Sequence, residues 1–398
     1  MRPLLFFLLA AVQTSNAQVF TLTQAIERAR TQSFQSRIEY EHVLQAKKLA
    51  KASYLHLLPQ ITLNSIASNI APSWPTLVGA IGDLAPFLLP SRWFMARSTS
   101  ELSKAEQDSY LLMRLDMGVQ IESLFYTFDR DQKTLGFTQS LLAQAQQIRN
   151  EVSIRENLGQ LPTGSTGNLD SIVNQIQQSI DVLNQVLPED LAAASAALGF
   201  LDPRAVSGTQ IDHESQPIES APLYVYDTVQ SSALNHALEL TQLDDLIEAA
   251  RYQRKASYFS WLDPYGDPSL GLGAALPTEL AIQRSKINEL EICKEQLTSI
   301  ISQKTYNSII DYTSALQSFK DATTGLQIQQ KLLESAQARL AAGVKVDLFG
   351  LVQILQNDLA AEINLESARA NYRVARAQID RLLLQGYYAN FSAPSPSL

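Results

Sequence analysis

The sequence predicts a mainly α protein built from two copies of a long antiparallel helical hairpin, with a small β-strand region in each copy. Three observations predict this fold. Apolar residues recur in alternating steps of three and four over stretches without proline, which is typical of coiled-coil helices. An Arg-x-x-x-Gly break interrupts these stretches once in each half of the chain. The tetrapeptide Lys-Ala-Ser-Tyr occurs at 51–54 and again at 255–258, which indicates internal duplication.

The first 17 residues have the composition of a secretory signal peptide. Arg2 supplies a positive charge, residues 4–12 form a short apolar run, and residues 15–17 (Ser-Asn-Ala) form a cleavage site of small residues. A buried N-terminal helix is the alternative. Cleavage after residue 17 predicts that the mature chain leaves the cytoplasm.

The first structural repeat is predicted to cover residues 18–200. Its beginning, over 21–58, carries an apolar stripe that predicts a helix pair or one bent helix. Thr23 is the expected N-cap, and Pro59 ends the helical pattern.

A β-hairpin is predicted at about 60–89. Two runs of roughly 10 to 12 residues flank a polar, proline-containing turn, and this length can span an outer membrane as strands. Trp74 and Trp93 are then possible membrane-interface aromatics. A soluble hairpin, or a short apolar helix over 77–89, would account for the same residues.

The first long helix is expected to begin at Ser98 and to continue without proline until Pro162. About 55 residues at 1.5 Å per residue give a helix of about 80 Å, longer than a globular core requires. The tip of this first hairpin is predicted near 155–169, and its return helix ends at about Gly199. Residues 164–167 contain glycines but lack the lysine of a phosphate-binding loop, so a flexible tip is expected there.

The second repeat follows the same plan with a shorter strand region. The predicted segments are a linker at 201–227, the second repeat at 228–386 with a short strand at 268–276 and a hairpin tip near 339–348, and a C-terminal tail at 387–398. The strand region has room for one short strand but not for a hairpin of two membrane-spanning strands.

An apolar seam marks both helices of the second hairpin, whose tip is Gly343. Before the tip, the seam consists of Ile309, Tyr312, Leu316, Phe319, Leu326, Leu333 and Leu340. After the tip, it continues through Leu365, Ala368, Tyr372, Ala375, Ile379 and Leu382. This spacing predicts that each helix packs against another helix.

These motifs resemble the C-terminal half of the TolC-like outer-membrane efflux proteins. The resemblance consists of a long helix ending in Arg-x-x-x-Gly, a leucine-rich restart that contains Gln353, and an Ala-Arg-x-x-Tyr segment at 368–372. It implies a homotrimer whose helices form an α-barrel across the periplasm and whose strands form part of an outer-membrane β-barrel. The shortened second strand region departs from the family pattern and identifies the chain as a divergent member.

The resemblance also implies a function. The chain would be the outer-membrane channel of a tripartite efflux or type I secretion system in a Gram-negative cell. It would export substrates passively and dock a periplasmic adaptor (membrane fusion) protein and an inner-membrane transporter. Its location would be the outer membrane, in contact with lipid, with a periplasmic extension.

The resemblance assigns roles to residues near the tips. The adaptor-facing tip residues are Arg155, Gly159, Arg339 and Gly343, and the possible tunnel-mouth acids are Asp170 and Asp347. The arginines have an alternative role as helix C-terminal charges that favour the dipole. The two acids have an alternative role as N-caps of the return helices.

Composition and residue spacing argue against several other classes. A net charge of -9 and a pI near 5.1 provide no basic stripe for nucleic acid. The four histidines are scattered without zinc-ligand spacing, and no enzyme, metal or other cofactor is predicted. The single cysteine, Cys293, cannot form an intramolecular disulfide and is expected to be a small buried apolar residue.

Two further classes fit the helical pattern. A periplasmic coiled-coil scaffold would share every helical feature without a channel, and the short second strand region favours it. A surface or secreted helical binding protein would also carry a signal peptide, but it would not require paired Arg-x-x-x-Gly tips.

Overall fold

The computed structural model describes residues 18–58, 86–212, 221–260, 275–342 and 348–389. Several predictions lie outside these ranges: the signal peptide, Trp74 with residues 59–85 of the hairpin, residues 268–274 of the second strand, Gly343, Asp347 and residues 390–398. The described part of the chain is mainly helical.

Eight α-helices, two short strands and two 3₁₀ turns make up the described residues. The strands are β1 (Gln18–Thr21) and β2 (Val206–Gln210), and the turns are Pro86–Leu88 and Gly386–Tyr388. The helices are α1 (Leu22–Gln32), α2 (Phe34–Leu55), α3 (Pro90–Asn157), α4 (Ser165–Ala197), α5 (Tyr226–Asn235), α6 (Leu238–Phe259), α7 (Ala275–Ala341) and α8 (Leu348–Leu383).

The chain divides into two compact units, each assembled from three separate segments. Unit 1 comprises Met1–Ser33, Gln120–Glu219 and Thr313–Ala375, and unit 2 comprises Phe34–Val119, Ser220–Tyr312 and Arg376–Leu398. The two longest helices, α3 with 68 residues and α7 with 67, contribute to both units.

The start of unit 1 is a parallel pairing of β1 with β2, in which Thr21 lies opposite Gln210. Thr21 also caps α1: its hydroxyl accepts from the Gln24 amide at 3.3 Å, and the Gln24 side chain accepts from the Thr21 amide at 3.3 Å. This reciprocal capping box satisfies two amides at the helix start. The N-cap prediction of Thr23 is therefore wrong by two positions.

Segment boundaries differ from the sequence prediction in three places. The predicted linker contains β2, which pairs with a strand almost 190 residues earlier in the chain, as the Thr23–Asp212 hydrogen bond also shows. The first long helix begins at Pro90 rather than Ser98, since proline at the first helical position fixes a suitable φ and loses no needed N–H. The end of the predicted hairpin is a 3₁₀ turn, and residues 275–276 of the predicted strand are helical.

The apolar seam predicted for the second hairpin is confirmed on α8, where all six of its residues are buried: Leu365, Ala368, Tyr372, Ala375, Ile379 and Leu382. On α7, Tyr312, Leu316, Leu326 and Leu333 are buried, and Ile309 and Phe319 are partly buried. The seam therefore marks the helix faces that pack in the interior.

One hydrophobic cluster joins four helices of unit 1. Its buried members come from α3 (Leu141, Ala145, Ile148, Val152), α4 (Leu169, Ile172, Ile176, Ile180), α7 (Leu333, Ala336) and α8 (Leu351, Leu355). Because helices of both hairpins contribute to it, this cluster fixes the two hairpins against each other inside unit 1.

Unit 2 is held by a buried arginine that pairs with two more exposed carboxylates, as well as by apolar packing. Arg381 at the end of α8 donates to Asp116 on α3 at 2.7 Å and to Glu239 on α6 at 3.1 Å. Next to it, Leu382 packs with Ala233 and Ile301. The last turn of α8 is therefore joined to four other helices of this unit by charge and by apolar contact.

One predicted burial state is wrong: Cys293 on α7 is exposed. It lies on a long helix whose buried face changes along its length, so a single apolar phase does not determine burial. None of the described helices has the apolar length that crossing a bilayer as a helix would require.

We predict that Leu333→Asp destabilises the protein by about 3 kcal/mol or more, because it places a carboxylate in the unit 1 cluster. Urea unfolding of the full chain measures the change. Val182→Asp on α4 is the control, since Val182 is 60 % exposed and its free energy of unfolding should change by less than about 0.5 kcal/mol. Equal stability of the two variants would contradict the assigned seam.

We also predict that Gly199→Ala lowers the free energy of unfolding by at least about 2 kcal/mol. Gly199 has φ +79°, and a Cβ there would lie 2.5 Å from the Gln32 carbonyl oxygen. Gly136→Ala is the matched control: it lies inside α3, a Cβ there meets no atom within 4 Å, and alanine should stabilise the helix by about 0.5 to 1 kcal/mol. Changes of the same sign in both variants would contradict this account.

Candidate functional site

The first hairpin reverses direction through a Schellman motif at Gly159. Its φ of +69° is left-handed, its amide donates to the Glu156 carbonyl at 3.0 Å, and the Gln160 amide donates to the Arg155 carbonyl at 2.9 Å. Glycine adopts this backbone conformation at little cost, which is why it follows the helix end. The Arg-x-x-x-Gly motif therefore ends α3 at a defined turn.

A single carboxylate, that of Glu156, joins the two sides of this tip. It accepts from the Gly164 amide at 2.6 Å, from the Thr166 amide at 2.9 Å and from the Thr166 hydroxyl at 2.5 Å. Gly164 is the N-cap of α4 and has no side chain to satisfy the first amides of that helix. The side chain of Glu156 thus caps α4 from the opposite helix.

The hydrogen bonds to Glu156 favour its charged form. The Thr166 hydroxyl, followed by the Gly164 and Thr166 amides, lowers the pKa of Glu156 below its ordinary value of 4.5. Because the pKa of Glu156 is lowered in the folded state, its carboxylate stabilises the folded tip at neutral pH. This contribution is lost as the pH falls from 4.5 through the lowered folded-state pKa.

Further from the tip, an ion pair joins the same two helices. Arg149 on α3 donates through Nε to Oδ1 of Asp170 on α4 at 2.6 Å. Asp170 lies inside α4, whose N-cap is Gly164, so the N-cap alternative is wrong for Asp170. Both side chains are about two-fifths exposed. The ion pair therefore helps to position α3 against α4 but adds little to the free energy of unfolding.

The structure describes the second tip only as far as Ala342, at the end of α7. Arg339 lies in the last turn of α7 and is exposed, and the amide of Ala342 donates to the Ala338 carbonyl at 3.0 Å. Gly343 and Asp347 lie outside the described residues. Helix α8 begins directly after them, at Leu348.

The two hairpins meet just behind their tips. Besides the shared apolar cluster, Gln337 on α7 donates to Gln144 on α3 at 3.2 Å, and Gln356 on α8 donates to Gln175 on α4 at 3.1 Å. Each of these hydrogen bonds pairs a helix of the first hairpin with a helix of the second. The predicted tip residues Arg155, Gly159 and Arg339 therefore belong to one unit with a common support.

Trp93 lies away from the tips, near the start of α3 in unit 2. Its ring is 43 % exposed and its indole N–H donates to the Phe87 carbonyl at 2.8 Å. The indole N–H is satisfied and the ring is partly exposed, as is typical of aromatic residues at a membrane interface. The location of Trp93 at such an interface stays a prediction.

The observed contacts of the first tip are structural. Its polar groups are used in caps and ion pairs, and among the described residues no group of three or more His, Cys, Asp or Glu side chains is placed to hold a metal ion.

Known proteins share this fold, although their sequences differ widely from this one. No protein-family model matches the sequence, and no curated protein does. Solved structures do match. A membrane protein from Pseudomonas aeruginosa superposes with a TM-score of 0.72 at 11% identity, covering 92% of this chain and 90% of that one.

Two outer membrane proteins match to a similar degree. The Campylobacter jejuni CmeC outer membrane channel has a TM-score of 0.70 at 11% identity, over 91% of this chain and 85% of that one. The outer membrane protein VceC from Vibrio cholerae has a TM-score of 0.70 at 12% identity, over 92% of this chain and 96% of that one. The chain therefore has the fold of the TolC-like outer-membrane channels, and the resemblance found in its tip motifs is confirmed at the level of the fold, in a divergent sequence.

Three residues of the tip were not predicted from the sequence: Arg149, Glu156 and Thr166. The capping function of Glu156 had no local signal, because its partners lie eight and ten residues later, across the loop. A Thr two residues after a glycine N-cap was the available signal, but the segment 164–167 was expected to be merely flexible.

We predict that Glu156→Gln speeds hydrogen exchange at the Gly164 and Thr166 amides severalfold after correction for intrinsic rates, because the charged acceptor is lost. In the unchanged protein the same protection should disappear as the pH falls below 4.5, the ordinary value for this carboxyl. Asp181→Asn on α4 is the control, since its carboxylate accepts only from Gln177 within the same helix in the contacts observed. Exchange that is unchanged in Glu156→Gln would show that the carboxylate does not hold the tip.

Proposed function

We propose that the chain is the outer-membrane channel of a tripartite export system and that it acts as a passive duct. On this proposal it assembles as a homotrimer, docks a periplasmic adaptor through its tips and receives substrates from an inner-membrane transporter. The transporter supplies the energy, and the chain carries out no chemistry of its own.

The observation that carries this proposal is the paired hairpin fold itself. Two long hairpins with a common core behind their tips match outer-membrane channels over about nine-tenths of this chain. Fold alone does not define function, so the assignment rests also on the surfaces described next.

A second apolar face on α7 supports self-association. Seven large apolar residues on this helix are exposed: Ile282, Ile292, Ile300, Tyr306, Ile310, Ile328 and Leu332. At 100° per residue they fall within about 120° of the helix circumference, on the side opposite the seam residues such as Tyr312. Exposed apolar side chains along one side of a helix are in unfavourable contact with water, and we propose that the same side of α7 in another copy of the chain covers them.

The tips support the adaptor contact. Arg339 is exposed at the end of α7, and the Gly159 turn presents its loop on a rigid support. An exposed guanidinium at a helix end can form bidentate contacts with carboxylates of a partner, which suits a docking role for Arg339. On this proposal Arg155 is assigned to the same adaptor-facing surface. Asp170 and Asp347 remain assigned to the tunnel mouth on this proposal.

The periplasmic scaffold is the second candidate, and one observation favours it. The connection between α6 and α7 is short, running only from 260 to 274, whereas α2 and α3 are separated by residues 56–89. A segment of this length offers little chain for membrane contact in the second repeat. The scaffold predicts extraction from cells without detergent, and the channel predicts extraction with the outer membrane.

We predict that Gly159→Pro abolishes export while the oligomer stays intact. Proline fixes φ near −65°, which is incompatible with the +69° observed, and it removes the N–H that donates to Glu156. Gly343→Pro at the second tip is expected to act in the same way. Export by cells that carry each variant, together with cross-linking of the oligomer and of the adaptor, measures the effect.

Gly136→Ala is the control for these tip variants, because it changes a glycine of α3 with open space around it and should leave export unchanged. Normal export by both proline variants would remove the tips from the mechanism. Loss of adaptor cross-linking with retained oligomer cross-links is the pattern that the proposal requires.

A further inference from the structure

An acidic cavity lies behind the tips in unit 1 and is lined by α3, α7 and α8. Its volume is about 590 Å³. Its lining residues are Gln144, Gln147, Ile148 and Glu151 on α3, Gln330, Leu333, Glu334 and Gln337 on α7, and Asp358 and Glu362 on α8. Four carboxylates and four carboxamides therefore face one space, and the lining contains no cationic side chain.

Asp358 is the exceptional member of this lining. It is only 4 % exposed, and its Oδ1 atom is buried without a hydrogen-bond partner. A buried carboxylate without a donor carries a large desolvation cost, which is why such groups in proteins are paired or bind a cation. Asp358 also lines the cavity, so its carboxylate lies next to a space in which a ligand can be held.

Burial and neighbouring charges also disfavour the charged forms of Asp358 and Glu362. Burial raises the pKa of Asp358, and burial together with the charges of Asp358 and Glu366 raises the pKa of Glu362 to about 7. Repulsion among these carboxylates on α8 is relieved either by a proton or by a positively charged ligand.

The dimensions of the cavity decide which kind of cation fits. A volume of about 590 Å³ falls in the range of small-molecule sites, about 300 to 1,000 Å³, and far exceeds the space of one ion. The acids are also spread over three helices, and no described group of three or more is placed close enough to hold one metal ion. Separate positive charges on one flexible molecule match separate carboxylates.

We propose that this cavity binds an organic polycation of the polyamine class, with one ammonium group at Asp358 and others at Glu362, Glu151 and Glu334. An ammonium group carries three N–H donors, so it can satisfy a carboxylate and the carboxamide oxygens beside it at once. The bound molecule links α8 to α3 and α7 and so fastens the two hairpins together behind their tips. This inference is independent of the channel assignment.

Binding is expected to depend on pH. The groups that face Glu362 are Asp358 and Glu366 on its own helix, Glu151 on α3 and Glu334 on α7, and Glu366 is itself paired with Arg369. Protonation of Glu362 as the pH falls through about 7 removes a charge that the ligand needs. Affinity is therefore higher at about pH 8 than at about pH 6.

The test is calorimetric titration of the purified full-length chain in detergent with spermidine at fixed ionic strength. The Asp358→Asn, Glu362→Gln double variant is expected to bind at least about tenfold more weakly than the unchanged protein. Glu289→Gln, an exposed acid on α7 outside the cavity, removes the same charge from the surface and should change affinity less than about twofold. If the double variant does not fold, Glu334→Gln in the cavity wall replaces it and should weaken binding about threefold.

Three results would overturn the proposal. Equal affinity of the double variant and the unchanged protein would show that spermidine binds only the general negative charge of the surface. Affinity that is the same at both pH values would exclude the Glu362 site. Displacement of spermidine by an equal concentration of Mg²⁺ would show that the cavity recognises a simple divalent ion rather than a polyamine.

Discussion

Burial of apolar seams along very long helices is the constraint on which the rest of this structure depends. A helix of 68 residues has no core of its own, so its apolar stripe must be covered by other helices. Inside unit 1 the four-helix cluster behind the tips does this, and Leu355 and Val152 in it are completely buried. The exposed apolar face of α7 is what a single chain leaves uncovered, which is why the fold and the proposed assembly follow from the same requirement.

Ion pairs between the helices favour one register of packing of the apolar seams. Arg373 on α8 donates to Asp129 on α3 at 2.7 Å in unit 1, and Arg381 pairs with Asp116 in unit 2. Pairs of this kind add little net stability, but leaving one partner alone in the interior is costly, so they disfavour wrong helix registers. Asp358 is the contrast: it is buried like Arg381, but its Oδ1 atom has no hydrogen-bond donor, which is why we propose a ligand in its cavity.

Periodicity predicted the helical hairpins and the seam on α8 because burial on a helix follows from spacing alone, and all six seam residues are buried. The exposure of Cys293 and the pairing of β1 with β2 were not accessible in this way, since they depend on which distant segments meet. The same limit applies to the site. Gly159 was found from its motif, whereas the Glu156 cap and the Asp358 cavity require a loop and three helices to be placed together.

The most direct test of the central claim is electrical. The purified full-length chain, extracted in detergent and reconstituted into a planar lipid bilayer, is predicted to conduct ions steadily as a trimer, because a duct of packed hairpins provides a continuous aqueous path once it is inserted. A trimer that inserts without conducting, or a protein that is recovered without detergent and never inserts, would contradict the channel and would leave the scaffold as the function of this fold.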